Sequence, residues 1–311
     1  MDQDRNAERA DFHRPVLADE VVELMAPVVP GVVVDATFGG GGHTRRLLDE
    51  FGEDVSVIAI DRDPEAVANA TGLDVTVVQG NYGHLAEIVS SVGESEVSGV
   101  LFDFGVSSRQ LDEAERGFSY RRSGPLDMRM GPDATRDAAD IVNGWPIEEL
   151  TRIIREYGEE PLARRVARAI VAARPIDSTA TLSTVIAQSM PAARRRAGHP
   201  ARRTFQAIRI AVNDELESVE AGINQALDLV RPGGRVIAIS YHSLEDRIVK
   251  RAFTERASGC TCPPDLPVCG CGNTAEVRIL TRRPIRPTEA EIAVNNRARS
   301  ATLRAVEKVA A

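Results

Sequence analysis

Apolar residues in the first hundred positions fall into short blocks, each ending at an acid or a turn. Val32-Val33-Val34 ends at Asp35, Ser56-Val57-Ile58-Ala59-Ile60 at Asp61, Val75-Thr76-Val77-Val78 at Gln79-Gly80, and Val97 to Phe102 at Asp103. Blocks this short and this apolar predict strands buried on both faces. Between them, Leu47, Leu48 and Phe51, then Ala66, Val67 and Ala70 behind Asp63-Pro64, predict helices. The alternation predicts a parallel sheet of α/β class, whose ligands sit beyond the carboxyl ends of the strands. Asp35, Asp61 and Asp103 then share one edge.

Beyond Gln110 the rhythm stops. Residues 113–135 read as a loop rich in Gly, Arg and Pro, of a length that is usually functional or disordered. Three amphipathic faces follow, through Ile147 to Tyr157, Leu162 to Ile170 and Leu182 to Met190, with no strand between them. An all-α insert over 113–205 therefore divides the α/β domain into 1–112 and 206–311. A stripe from Phe205 to Val230, spaced by threes and fours, leads to Arg231-Pro232-Gly233-Gly234 and a fifth strand, Arg235 to Ser240. Tyr241-His242-Ser243-Leu244-Glu245-Asp246-Arg247 comes next at the ligand edge, with Ser243 the expected cap of the following helix. Val277 to Leu280, a helix capped by Thr288 with Glu291, and a last strand near 301–306 complete a seven-stranded sheet.

The most informative stretch is Asp35-Ala36-Thr37-Phe38-Gly39-Gly40-Gly41-Gly42-His43. Four glycines remove every Cβ from the turn, so a ligand can lie against the backbone. Asp61 stands nineteen residues after Gly42, where folds of this plan bind ribose hydroxyls. Tyr82, just past the third strand, is a candidate to stack on a base. The G-x-G-x-x-G pattern of a dinucleotide site is missing, since Thr44 and Arg45 stand where its last glycine belongs. A carboxylate at Asp35 repels phosphate and suits the charge of S-adenosylmethionine (SAM), which is therefore preferred over NAD.

Composition narrows the class. Hydrophobic residues make up 43% and charged residues 27% of the 311 positions, as in soluble globular proteins. No apolar run has membrane-spanning length, and the polar start is unlike a signal peptide, so a cytoplasmic protein without a membrane partner is expected. The net charge of -8 argues against coating naked nucleic acid. The basic residues are nearly all arginine, and runs at Arg194-Arg195-Arg196, Arg202-Arg203 and Arg282-Arg283 are candidates to grip phosphates or to be solvated faces. Cys260, Cys262, Cys269 and Cys271 form one local cluster; its C-x-C pairs differ from the usual C-x-x-C of zinc sites, so zinc is considered but not favoured.

Several motifs resemble the ribosomal RNA small subunit methyltransferase H family. They are His13-Arg-Pro-Val-Leu17, Asp35 to His43, Ile60-Asp-Arg-Asp-Pro64, Asp103-Phe-Gly-Val-Ser-Ser108, Glu115-Arg-Gly-Phe-Ser119, Gly124 to Met130, Thr204 to Arg209, Ser240 to Arg247 and Arg297-Ala-Arg-Ser300. The resemblance covers nearly the whole chain and implies a Rossmann-like SAM-dependent methyltransferase sheet with an inserted helical, substrate-recognising subdomain. It also implies methylation of the N4 amine of a decoding-centre cytidine in 16S rRNA, within the assembled small subunit. Carried over by resemblance, Gly41, Gly42, His43, Asp61, Tyr82, Asp103 and Gln110 would contact SAM. Gly40 and Asn296 depart from relatives, which often have Arg and Pro there.

The cytosine amine is a poor nucleophile, so positioning against the methyl donor carries the chemistry. Asp103, accepting the amine's hydrogens, and His242, touching substrate, are the catalytic candidates. A flipped base needs stacking partners, for which Phe118, Tyr120 and His242 are available. Two other readings are a non-catalytic assembly factor that senses SAM and an NAD-dependent oxidoreductase. A homodimer is left open.

Overall fold

In chain order the elements of this computed structural model begin with α1 (Ala18–Met25), β1 (Gly31–Asp35), α2 (Gly42–Phe51), β2 (Val55–Asp61), α3 (Pro64–Ala68), β3 (Thr76–Gln79), α4 (Leu85–Ser91) and β4 (Val97–Asp103). Then come α5 (Ser108–Asp112), α6 (Ile147–Glu156), α7 (Ala163–Ala172), α8 (Thr179–Ser189), α9 (Ala192–Arg196) and α10 (Arg202–Asn213). The chain ends with α11 (Glu215–Leu229), β5 (Val230–Ser240), α12 (Ser243–Ser258), β6 (Val277–Ile279), α13 (Glu289–Val294) and β7 (Thr302–Lys308). The structure describes residues 15–196, 198–258, 271 and 274–310. His13, Arg14, Cys260, Cys262 and Cys269 lie outside the described residues, as do the side chains of Arg195 and Arg196.

The chain forms two compact units, Met1–Gly105 with Leu216–Ala311, and Val106–Glu215. In the first, seven strands make one sheet in the order β3-β2-β1-β4-β5-β7-β6. Strands β1 to β5 pair in parallel and β7 runs antiparallel between β5 and β6. Alternation splits each strand between two cores. Val100, Phe102, Val236 and Ala238 face one, with Ile223 and Phe253 of the helices. Leu101, Ile237, Ile239 and Leu303 face the other, with Leu17, Met25 and Leu47. Burial on both faces is why these strands read as unbroken apolar runs.

The second unit is helical around its own core of Leu150, Ile153, Ile154, Val166, Ile170, Leu182, Ile186 and Phe205. It starts earlier and ends later than the expected 113–205, because Val106 and Leu111 pack against that core and α10 belongs to it. The stripe from Phe205 to Val230 is two helices and not one. Asp214, in the left-handed region at φ 48°, interrupts it, a conformation aspartate tolerates better than most residues. The stretch 113–135 is no loose loop, since Phe118, Leu126, Met128 and Met130 are buried in the unit's core.

Asn213 ties that stretch down. Its amide oxygen accepts from Met130 N–H at 2.8 Å, and its amide nitrogen donates to the carbonyls of Met128 at 2.7 Å and Arg209 at 2.9 Å. Asn213→Ala strands a buried donor and acceptor and is expected to cost about 3 kcal/mol. Urea unfolding checks this; an unchanged midpoint would refute the role.

Candidate active site

The end of each central strand turns its carboxylate to a different task. Asp35, closing β1, is 1% exposed. It accepts from the Thr44 hydroxyl at 2.6 Å and from Thr37 N–H at 3.3 Å. Burial raises its pKa, with the Thr44 bond, the charge of His43 and the Thr37 bond pulling back. Asp35 therefore clamps the loop to α2, and the expected direct meeting of its carboxylate with a ligand is corrected: an acid this buried has no open face.

The glycine loop is shaped by what surrounds it. Gly41 adopts φ +71°, and a Cβ there would stand 2.7 Å from the Phe38 ring. Its N–H donates to Phe38 O at 2.7 Å, and α2 begins at Gly42. Asp61, closing β2, reaches across to accept from Gly39 N–H at 2.7 Å and from Asp63 N–H at 2.9 Å. Burial pushes its pKa up to about 6, against those two bonds.

Asp103, closing β4, has a quarter of its side chain exposed. Its backbone N–H donates to the Thr37 hydroxyl at 2.6 Å, which joins β4 to the turn after β1. Oδ1 accepts from the Tyr241 phenol at 2.7 Å, and Oδ2 lies 3.6 Å from His43 Nε2. His43 is buried, and neither ring nitrogen makes a hydrogen bond of good geometry. Burial pulls its pKa down, but Asp103 and then Asp35 outweigh this, and the net shift is upward. Tyr241 is pushed well above 10 by burial, then by the charge and hydrogen bond of Asp103.

At the end of β5, the buried Glu245 folds back so that Oε2 accepts from Tyr241 N–H at 2.8 Å and His242 N–H at 3.2 Å. Its Oε1 is 3.1 Å from His242 Nε2. Glu245 and His242 thus shape the turn into α12 together. Tyr82 sits edge-on to Phe102 and tilted against Phe104, at centroid distances of 5.8 and 5.7 Å.

The structure brings Gly41, Gly42, His43, Asp61, Asp103 and His242 to the carboxyl edge of one sheet, with Tyr82 just past β3. Gln110 lies in the helical unit, in a capping box with Ser107: its side chain accepts from Ser107 N–H at 3.0 Å, and its N–H donates to Ser107 Oγ at 3.2 Å. Phe118 is 5% exposed, packed in the helical core and unavailable to stack on a base. Tyr120 stacks on His199 at 4.3 Å in that unit. Sequence reasoning overlooked Tyr241, Thr37 and Glu245. The register of β5 signals Tyr241: Ile239 pairs with Asp103, and Tyr241 is the second residue beyond.

Residues 10–309 match a family model described as the MraW methylase family. Ribosomal RNA small subunit methyltransferase H of Heliobacterium mobile is 49% identical, over 96% of this chain and 100% of its own. The protein of that name from Symbiobacterium thermophilum is 50% identical over 97% and 98%, and that from Geobacter sulfurreducens 50% over 96% and 99%. Among solved structures, an rRNA methylase from Streptococcus thermophilus aligns over 96% of this chain and 98% of its own, at 12% identity and a TM-score of 0.42.

The Tyr241 contact is testable by spectrophotometric titration. Of the four tyrosines, one is expected to stay protonated well above the ordinary tyrosine range in the folded protein, and that signal should vanish in Tyr241→Phe. Folded stability should also fall as pH rises past 10, because the phenol of the unfolded chain ionises first. Four tyrosines titrating together near 10 would contradict the contact.

Proposed function

The chain belongs to the MraW methylase family, and we propose that it methylates the N4 amine of a decoding-centre cytidine in 16S rRNA, on the assembled small subunit, using SAM. Relatives about half identical over almost their whole length carry the name of a ribosomal RNA small subunit methyltransferase. The observation that carries the reading is Asp103: a partly exposed carboxylate, fixed by Tyr241 and facing His43, beside a glycine turn.

The residues fit an adenosine-type cofactor. Gly41 and Gly42 offer bare backbone at the start of α2, His43 carries buried ring nitrogens with unused hydrogen-bonding capacity, and Asp61 offers a carboxylate for ribose hydroxyls. Tyr82 and Asp103 complete the proposed contact set on this unit, and Gln110, which lies in the helical unit, is added by the family resemblance alone. When bound, SAM supplies an electrophilic methyl group on a sulfonium.

The chain's own work is positioning. Asp103, accepting an N–H of the cytosine amine, holds that nitrogen and favours its lone pair turning out of conjugation with the ring. The Tyr241 hydrogen bond keeps the carboxylate from rotating away, and a misplacement of about 1 Å is worth roughly a hundredfold in rate. As the new N–C bond forms, the amine sheds one proton to solvent. His242, on the turn stiffened by Glu245, is the proposed second contact to the base.

Incubation with SAM and small subunits from cells lacking the enzyme, read by nucleoside mass spectrometry, should yield N4-methylcytidine. Asp103→Ala should lower kcat, measured at saturating SAM, by roughly a hundredfold. Subunits left unmethylated by a protein that binds SAM would favour the sensor reading, and NAD binding in place of SAM the oxidoreductase.

Asp61 makes affinity pH-dependent. Its folded pKa of about 6 lies above the ordinary 3.8, so between those values the empty folded state keeps a proton that the unfolded chain has lost, and stability falls as pH rises through that window. Ribose hydroxyls donate best to the ionised form. SAM affinity should therefore rise with pH up to about 6 and then level off, and Asp61→Asn should flatten the curve. Calorimetry between about pH 5 and 8 checks both; a wild-type curve already flat there would refute the coupling.

A further inference from the structure

We propose that Arg282, Arg283 and Arg286 form a backbone-phosphate clamp for the RNA strand on one side of the target nucleotide. The inference rests on the methyltransferase reading above and adds a place where the strand is held.

Register supplies the argument. Asp103 pairs with Ile239, Ile239 with Leu303, and Leu303 with Ile285. The last pairing is a full exchange, with Ile285 N–H donating to Leu303 O at 3.0 Å and Leu303 N–H to Ile285 O at 2.9 Å. One line across the sheet therefore runs from the proposed catalytic carboxylate to the segment carrying the three arginines. At about 4.8 Å per strand, three steps place Ile285 about 14 Å from Asp103. That distance spans no more than about four phosphates at a stacked rise of about 3.4 Å.

The segment is built to hold still. Ile285 is packed against the core that contains Leu303 and Ile239. Pro284 and Pro287 fix their own φ angles and keep the backbone from turning into helix. The arginines themselves are exposed.

Their lack of partners sets them apart from nearby arginines. Arg235 and Arg278 both bind Glu307, Arg304 binds Asp246 through two nitrogens, and Arg256 binds Asp228 and Glu276. Among the described residues, no carboxylate lies within ion-pair distance of Arg282, Arg283 or Arg286. In a chain of net charge -8, the segment at the end of this line thus carries three guanidinium groups that no carboxylate neutralises among the described residues. Guanidinium binds phosphate through two parallel hydrogen bonds, which suits an RNA backbone better than a point charge would.

The test is the triple variant Arg282→Ala, Arg283→Ala, Arg286→Ala, assayed for methyl transfer to unmodified small subunits over a range of salt. KM for subunits should rise by about tenfold, with kcat and SAM affinity unchanged. The slope of log affinity against log salt should shrink by about two, at roughly 0.7 for each single-strand phosphate that is no longer neutralised. A triple lysine variant should recover most of the KM, which a folding defect would not allow. An unchanged KM and salt slope in the alanine variant, with wild-type transfer intact, would overturn the clamp alone. Absence of transfer by the wild-type protein would overturn the methyltransferase reading, and the clamp with it.

Discussion

A parallel sheet covered on both faces has no room for charge along its strands. Every position from Val97 to Phe102 is buried, and the charged groups of β1, β2 and β4 stand only at the carboxyl ends. Burial drives the folding of this unit and in the same act gathers Asp35, Asp61 and Asp103 along one edge. The chemistry is located by the requirement that the interior stay apolar.

Gathering the acids does not make them equivalent. Asp35 lies deepest and is saturated by Thr44 and Thr37, so its contribution is to hold the glycine turn in place. Asp61 lies at intermediate depth, where burial lifts its pKa to about 6 while two backbone N–H groups steady it. Asp103 keeps an open side and is held by Tyr241. Three similar residues at three similar strand ends thus become a structural clamp, a titratable acceptor and an exposed acceptor. Depth from solvent and the donors within reach make the difference.

The helical unit interrupts the α/β chain between β4 and β5 without disturbing the sheet, since β4 and β5 still pair directly across the insertion. The unit sustains its own core, anchored through Asn213. Insertion at this point starts just past Asp103, so a second folded body grows from the loop that follows this strand-end acid.

The sequence by itself determined the strands, their order of appearance, the glycine turn and the shared edge of the three aspartates. These follow from local periodicity and from the rule that parallel strands bind ligands at their carboxyl ends, and neither depends on distant contacts. Motif resemblance added the family, which the comparisons bear out. Only the tertiary structure decided that Asp35 is sealed in, that Phe118 is core, that Asp214 breaks an unbroken-looking stripe, and that Tyr241 grips Asp103 across 138 positions of chain. Burial depth and cross-strand partners depend on which strand lies beside which, and residues far apart in sequence fix that neighbourhood. The same reason hid the line from Asp103 to Ile285, which exists only once β7 has inserted between β5 and the segment that follows β6.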